Sequence, residues 1–341
     1  MKKIKNLIIT GPTATGKTFL AVKLAKGFNG EIISADSRQV YKGLDIGTGK
    51  DIEEYGTGKD AIKYHLIDNC DPKQFYNLKQ FNTEAKELIN KISLKKKLPI
   101  IAGGTALYID SLVSNYKFPI SAPDIKLRVE LKTKSTQELA DYLQSNYPEI
   151  SKKIDNKGSR PRLVRAIENI PDSENTINND NKKQKSLSTD GQLTVNNTDI
   201  NYEWLIIGTF FPRKDVHARI EFRLEERLNS GMIEEVEYLH NSGISWERLD
   251  AFGLEYRYIS KYLKNELKLE EMKNILLAKI RRLARSQDIW FRKMEKKGIK
   301  IYWIPQGNLE QTSVLVKDFL DNKVLPEPDI RLMDIYYGPK S

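Results

Sequence analysis

Eight consecutive residues, Gly11-Pro12-Thr13-Ala14-Thr15-Gly16-Lys17-Thr18, match a phosphate-binding loop. Glycines at its two ends let the backbone fold tightly enough for N–H groups to converge on phosphate oxygens at a helix N-terminus. Lys17 adds a point charge, and the Thr18 hydroxyl is the ligand that such a loop offers to Mg2+. Kinases, NTP hydrolases and diphosphate-using transferases all need this cradle, so the reaction has to be read elsewhere. Asp36, in the run Ser34-Ala35-Asp36-Ser37-Arg38-Gln39-Val40-Tyr41, is the next residue with chemistry to offer. It stands at the C-terminal end of an apolar segment, where a carboxylate can act as a base. The same position suits a helix N-cap or a group that supports Mg2+ from behind its ligands.

These residues need elements to hold them. Ile4 to Thr10 reads as a short buried strand, and beyond the loop Leu20, Ala21, Leu24, Ala25 and Phe28 fall on one helical face. Glu31 to Ala35 reads as a second strand and Leu98 to Ala102 as a third, preceded by a lysine-rich helix from about Phe81 to Lys97. Strands alternating with helices predict an α/β fold. It would be a P-loop-type core with a parallel sheet flanked by helices and a ligand site at the strands' C-terminal ends. Residues 121–170 turn helical and polar, with Leu127, Leu131, Leu139, Tyr142 and Leu143 as buried positions, and read as an inserted, mainly helical lobe. Residues 171–201 hold too few apolar side chains to offset the entropy of ordering and are expected to be mobile. A strand from Tyr202 to Thr209, helices over Val216 to Leu239 and Leu269 to Lys297, and a strand near Ile299 to Ile304 complete the core. The expected division is core 1–120, lobe 121–170, mobile segment 171–201, core completion 202–310 and C-terminal tail 311–341.

At 341 residues with 39% hydrophobic content, the chain can bury a real core. Cys70 is its one cysteine and His65, His217 and His240 its three histidines, which excludes a disulfide framework and a clustered zinc site, so any metal would be oxygen-bound. No apolar run reaches membrane-spanning length, so a cytoplasmic protein with no membrane association is expected. A formal charge of +10 suits a polyanionic partner, although lysine-rich proteins of other kinds share it. From Lys273 to Lys297 nine Lys/Arg face only Asp288 and Glu295, with Trp290 and Phe291 interleaved. That pattern fits a surface that tracks phosphates beside a stacking group, and equally a solvated face with Trp290 in the core. Nothing in the sequence implies a stable protein partner.

Taken together, the phosphate loop, the Ser34 to Tyr41 run, Asp45-Ile46-Gly47-Thr48, His65-Leu66-Ile67-Asp68 and Gly103-Gly104-Thr105-Ala106-Leu107-Tyr108 resemble the tRNA dimethylallyltransferase family, over Ile4 to about Trp303 apart from residues 171–201. The resemblance implies transfer of a prenyl group from dimethylallyl diphosphate to N6 of an anticodon-loop adenosine of tRNA, in a channel with the diphosphate at one end and a flipped-out adenine at the other. It makes Asp36 the general base, and Lys17, the loop amides, Mg2+ at Thr18 and an arginine the stabilisers of the leaving diphosphate. Arg219 and Arg223, four apart, share a helical face and resemble the family's paired arginines. Arg219 is the preferred clamp and Arg223 a further donor-binding residue, unless both are solvated partners of Glu221, Glu225 or Glu226. Thr105 joins the catalytic set. The implied tRNA contacts are Asp36, Ser37, Arg38, Gln39 and Thr105 near the base, Arg128, Arg162 and Arg165 in the lobe, and Gly253, Arg285, Gln287 and Arg292 beyond it.

Three departures from the family pattern touch RNA contacts and spare the catalytic set: Ser286 within Arg285-Ser286-Gln287, Pro161 before Arg162, and Leu254-Glu255 where a tyrosine and a basic residue are common. The alternatives are an adenylate isopentenyltransferase acting on a free nucleotide and a P-loop kinase. The lobe and the basic helix favour tRNA over the first. A kinase would want a second carboxylate at the end of an apolar strand, whereas Ile100-Ile101-Ala102 runs into Gly103-Gly104-Thr105.

Overall fold

The computed structural model describes residues 3–116, 118, 124–152, 154, 158–170 and 201–335. The expected mobile segment, up to residue 200, lies outside the described residues. Two compact units divide the chain, Met1–Tyr116 with Asn196–Ser341, and Lys117–Val195.

The first unit is built on six strands: β1 (Lys3–Thr10), β2 (Gly30–Ser34), β3 (Tyr64–His65), β4 (Leu98–Ala102), β5 (Asn201–Phe210) and β6 (Tyr302–Pro305). They lie in the order β3-β2-β4-β1-β5-β6, every pairing parallel, with Leu7 of β1 opposite Ile100 of β4 and Leu205 of β5. Leu7, Ile8 and Ile9 are all 0% exposed, the unbroken burial of a strand covered on both faces. On one face Ile8, Ile33, Ile101 and Ile206 pack with Phe81, Ala85 and Ile89 of α2 (Leu78–Leu94) and Ile109 and Leu112 of α3 (Ala106–Val113). On the other, Leu7, Ile9, Ile32, Ile100 and Ile207 pack with Leu20 and Leu24 of α1 (Lys17–Gly27).

The second unit contains α4 (Ile125–Leu131), α5 (Thr136–Asn146), α6 (Pro148–Lys152) and α7 (Arg160–Glu168), closed around Leu139, Leu143, Leu163 and Ile167. Tyr142, expected in that core, is instead 44% exposed: it follows Leu139 by three residues, but its ring turns towards Tyr147, 6.0 Å away, at the surface.

The first unit continues with α8 (Arg213–Asn229), α9 (Met232–Asn241), α10 (Trp246–Phe252), α11 (Leu254–Leu263) and α12 (Leu269–Lys296). These five share a cluster that includes Ile220, Val236, Leu249, Tyr256 and Leu276 and takes in Val40, Tyr41 and Leu44 from the loop after β2. The single helix expected over Val216 to Leu239 is two, broken at Ser230-Gly231, where Gly231 takes φ 95°. β3 was also not foreseen, since two half-buried residues carry no strand periodicity; they are paired only because β2 has an open edge.

Residues 309–335 are folded too. Leu315 and Val316 of α13 (Leu309–Leu320) join the cluster against α1. Leu332 is 1% exposed, held because the Glu295 carboxylate accepts from the amides of Leu332 (3.1 Å) and Met333 (2.8 Å) and from the Trp303 indole N–H (2.7 Å). Glu295→Ala leaves three donors without their acceptor and should cost about 2–4 kcal/mol of stability. Urea unfolding checks this, and a loss under about 0.5 kcal/mol would show that the C-terminal segment is not held through Glu295.

Candidate active site

β1 ends at Thr10 and the chain turns through Gly11–Gly16 into α1. Gly11 takes φ 145°, and a Cβ there would lie 2.5 Å from Thr209 Oγ1, so the close approach of β5 admits no side chain. The Thr15 hydroxyl bonds the Pro12 carbonyl (2.8 Å) and Thr209 Oγ1 (2.6 Å), anchoring the loop to β5. Thr15 and Pro12 therefore shape the loop from inside: the Thr15 side chain is spent on these bonds, and Pro12 has no N–H to give. Lys17 Nζ donates to Pro12 O at 2.7 Å. Burial, and then the charge of Arg223, lower Lys17 to a pKa of about 8, against the opposing pull of Asp36. Thr13 N–H donates to Gln287 Oε1 (2.9 Å), and Gln287 Nε2 donates to Gly104 O (2.8 Å).

Asp36 follows the end of β2, in the loop after Ala35. A Cβ on Gly103 would meet Ala35 O at 2.3 Å, so the turns after β2 and β4 touch backbone to backbone. Asp36 Oδ1 accepts from the amides of Arg38 (2.8 Å) and Gln39 (3.3 Å), a cap-like turn that also fixes the carboxylate's direction. Ser37 N–H donates to Thr105 Oγ1 at 3.1 Å. Thr105 thus acts on the Asp36 segment from behind. Gln39 accepts from Ser34 Oγ (3.0 Å) and donates to Gly49 O (2.9 Å), so its amide is held within the protein.

The third wall comes from α8. Arg219 Nε donates to Ala14 O (2.6 Å), with its guanidinium 4.8 Å from the Phe211 ring centroid. Arg223 pairs with Asp51. Of the alternative partners, Glu221 pairs with Arg281 and Glu225 with Lys273, while Glu226 lines the same cavity. One turn further on, Arg227 bonds Gly47 O (3.4 Å) and lies 4.0 Å from Glu255. Burial pushes the Glu255 carboxyl above the usual range in spite of Arg227. Arg227, Asp51 and Tyr256 were not foreseen, and Glu255 was read in sequence only as a departure among the implied RNA contacts, not as a cavity residue paired with Arg227. Extending the spacing of four from Arg219 and Arg223 would have found Arg227; the others carry no local signal.

These walls enclose a cavity of about 720 Å³, lined by Thr13 to Thr18, Asp36, Arg38, Gln39, Gly103, Gly104, Arg219, Arg223, Arg227, Glu255 and Gln287 among others. That volume is in the range of small-ligand sites. Among the implied RNA contacts, Arg162 and Arg285 are exposed. Arg128 and Arg165 pair with Glu168, whose side chain is 1% exposed, which ties both to the packing of the second unit although the Arg128 side chain is itself 45% exposed. Gly253 joins α10 to α11 beside Arg38. Arg292 donates to Ile335 O at 2.8 Å, and Trp290 packs against the core.

A family model described as IPP transferase matches residues 39–294. Over 303 residues the chain is 42% identical to tRNA dimethylallyltransferase 2 of Treponema denticola, covering 89% of this chain and 96% of that protein. It is 40% identical over 308 residues to tRNA dimethylallyltransferase 1 of Syntrophus aciditrophicus, covering 90% and 96%. Of solved structures, the full-length tRNA isopentenylpyrophosphate transferase of Bacillus halodurans aligns over 94% of this chain and 96% of its own, at 28% identity and a TM-score of 0.63. A eukaryotic dimethylallyltransferase acting on tRNA shares the fold at a TM-score of 0.77, with 22% identity and 95% and 81% covered.

The lowered pKa of Lys17 has a measurable consequence. A phosphate seated against Lys17 favours its charged form, so binding restores the proton that the free site has lost above a pKa of about 8. At pH 8.5 a monoalkyl diphosphate should bind with uptake of roughly half a proton or more, and at pH 6.5 Lys17 should contribute none. Calorimetry in buffers of different ionisation enthalpy reads this directly. Uptake that persists in Lys17→Met would assign the proton to another group.

Proposed function

This chain belongs to the IPP transferase family of tRNA dimethylallyltransferases, and from that membership we propose that its cavity moves the prenyl group of dimethylallyl diphosphate to N6 of the adenosine at position 37 of tRNA. The observation that carries this reading is one cavity with Lys17 and Arg219 at a phosphate cradle and Asp36 on a facing turn.

The N6 lone pair is delocalised into the adenine ring, so the amine is a weak nucleophile and the allylic carbon has to be made electrophilic. N6 bonds to the allylic carbon as the carbon–oxygen bond breaks, the diphosphate leaves with the electron pair, and Asp36 takes the N6 proton. With Oδ1 occupied by two backbone amides, the other carboxylate oxygen is the one that receives it. Negative charge grows on the diphosphate as the bond breaks. Lys17 and Arg219 are preorganised for that charge: Arg219 is tethered through Nε, which leaves its terminal nitrogens for phosphate oxygens.

No described group of three or more His, Cys, Asp or Glu residues could hold a metal by itself. The site's donor set, one Thr18 hydroxyl beside a diphosphate, fits Mg2+, which keeps most of its shell as water and phosphate oxygen. Bound there, Mg2+ would neutralise further charge on the diphosphate. The acceptor must leave its stack to enter a cavity of this kind, and the exposed Arg162 and Arg285 supply charge for the flanking RNA backbone. No described helix is long and apolar enough to cross a membrane.

Incubating the protein with unmodified tRNA, Mg2+ and dimethylallyl diphosphate should add the mass of one prenyl group to an anticodon-loop adenosine. Preferential labelling of AMP in competition would assign the chain to free nucleotides instead. Asp36→Asn should lower kcat by about 10²–10⁴ with donor affinity nearly kept, because the base acts only as the proton leaves. Arg219→Ala should lower kcat by about 10²–10³, as expected of a group that meets growing charge. If Arg223→Ala carries that loss and Arg219→Ala does not, the clamp is Arg223.

A further inference from the structure

We propose that Gln287 is a positioning residue for prenyl transfer, setting the distance between the diphosphate cradle and the Asp36 segment, and not an RNA contact. The proposal rests on the reading that this cavity performs prenyl transfer.

Gln287 projects from α12 into the cavity, while its neighbours Arg285 and Ser286 are exposed. Its amide bridges two loops that belong to adjacent parallel strands. Oε1 accepts from Thr13 N–H (2.9 Å) in the phosphate loop after β1, and Nε2 donates to Gly104 O (2.8 Å) in the turn after β4. That second turn is in contact with the base. Thr105 N–H donates to Ala35 O (3.2 Å), and Thr105 Oγ1 accepts from Ser37 N–H (3.1 Å). Asp36 lies between these two attachment points. One side chain therefore links the cradle to the segment that carries the base.

The residue type follows from the partners. One loop presents a donor and the other an acceptor, and a carboxamide is the side-chain end that accepts and donates in one fixed plane. A carboxylate has no proton for Gly104 O, and an ammonium has no lone pair for Thr13 N–H. The site is also shaped for it: a Cβ on Gly104 would come within 2.7 Å of Gln287 Nε2. With Thr13 N–H committed to Gln287, the amides after it in the loop are left to meet the diphosphate. A displacement of about 1 Å between reacting groups costs on the order of 10²-fold in rate, so a link of this kind acts on kcat.

Gln287→Met keeps the length of the side chain and removes both bonds, and Gly104→Ala disturbs the bridge while leaving Gln287 in place. Each should lower kcat about 30–100-fold at saturating donor and tRNA, with the dissociation constant for tRNA within about threefold of wild type and circular dichroism unchanged. Gln287→Glu, which keeps the acceptor and loses the donor, should not rescue. A kcat within twofold of wild type in either Gln287→Met or Gly104→Ala overturns the proposal. So does a Gln287→Met defect confined to the tRNA dissociation constant or KM, the signature of an RNA contact. Wild-type protein that fails to prenylate tRNA would instead overturn the functional reading, so the two failures are told apart.

Discussion

Parallel alignment of β1, β2, β4 and β5 is the constraint on which the site depends. It brings the turns after these strands to one edge of the sheet, close enough that Gly11 meets Thr209 and Gly103 meets Ala35 with no room for a side chain. The Gly11–Gly16 loop, the Asp36 turn and the Gly103–Thr105 turn thereby become neighbours although residues 17, 36 and 105 are far apart in the chain. Helices close the rest: α8 brings three arginines spaced four apart, and α12 brings Gln287.

Charge in the cavity is balanced with the substrate left out of account. Lys17, Arg38, Arg219, Arg223 and Arg227 share it with Asp36, Asp51, Glu54, Glu226 and Glu255. Burial lowers Lys17 and raises Glu255, so both are pushed towards their neutral forms. A diphosphate seated there, as proposed, would reverse the first effect by supplying the opposite charge beside the buried ammonium. Binding and protonation would then be coupled at Lys17, where the Asp36 carboxylate, held by its own pair of amides, pulls against the effect of burial.

Two segments that resemble family signatures are fastened to each other, one of them lining the cavity with Gly47 and Thr48. Lys50, 1% exposed, donates to Asp45 Oδ1 (2.6 Å), Tyr41 O (2.8 Å) and Asp68, fastening the Asp45–Thr48 turn to the His65–Asp68 stretch. From the other side Glu235 Oε2 accepts from the amides of Asp45 (2.8 Å) and Ile46 (2.6 Å), and Oε1 from that of Gly47 (3.0 Å) and the Tyr256 hydroxyl (2.8 Å). The buried charge of Lys50 is tolerated here because it is met by several hydrogen bonds. The result is a fixed floor for Gly47 to Asp51, the stretch that lies against Arg223 and Arg227.

By itself the sequence determined whatever depends on local pattern. The strand, loop and helix around Gly11–Thr18 were legible because glycine spacing and apolar runs are short-range features, and β4 was read residue for residue because both of its faces are buried. The family was legible because its motifs are contiguous. Tertiary structure decided which of the motif residues face the cavity. Thr15, Thr105, Gln287, Arg128 and Arg292 look in sequence like groups that touch substrate, and each makes a side-chain bond inside the protein, Thr15 and Gln287 while lining the cavity. It also decided that Arg227 and Glu255 meet, that Glu168 pairs with two lobe arginines, and that Glu295 ties down the chain's C-terminal segment. Sequence spacing reports which face of an element a residue occupies. Whether the atom opposite that face belongs to solvent, substrate or another loop depends on contacts between residues far apart in the chain, and these exist only once the sheet has aligned its strands.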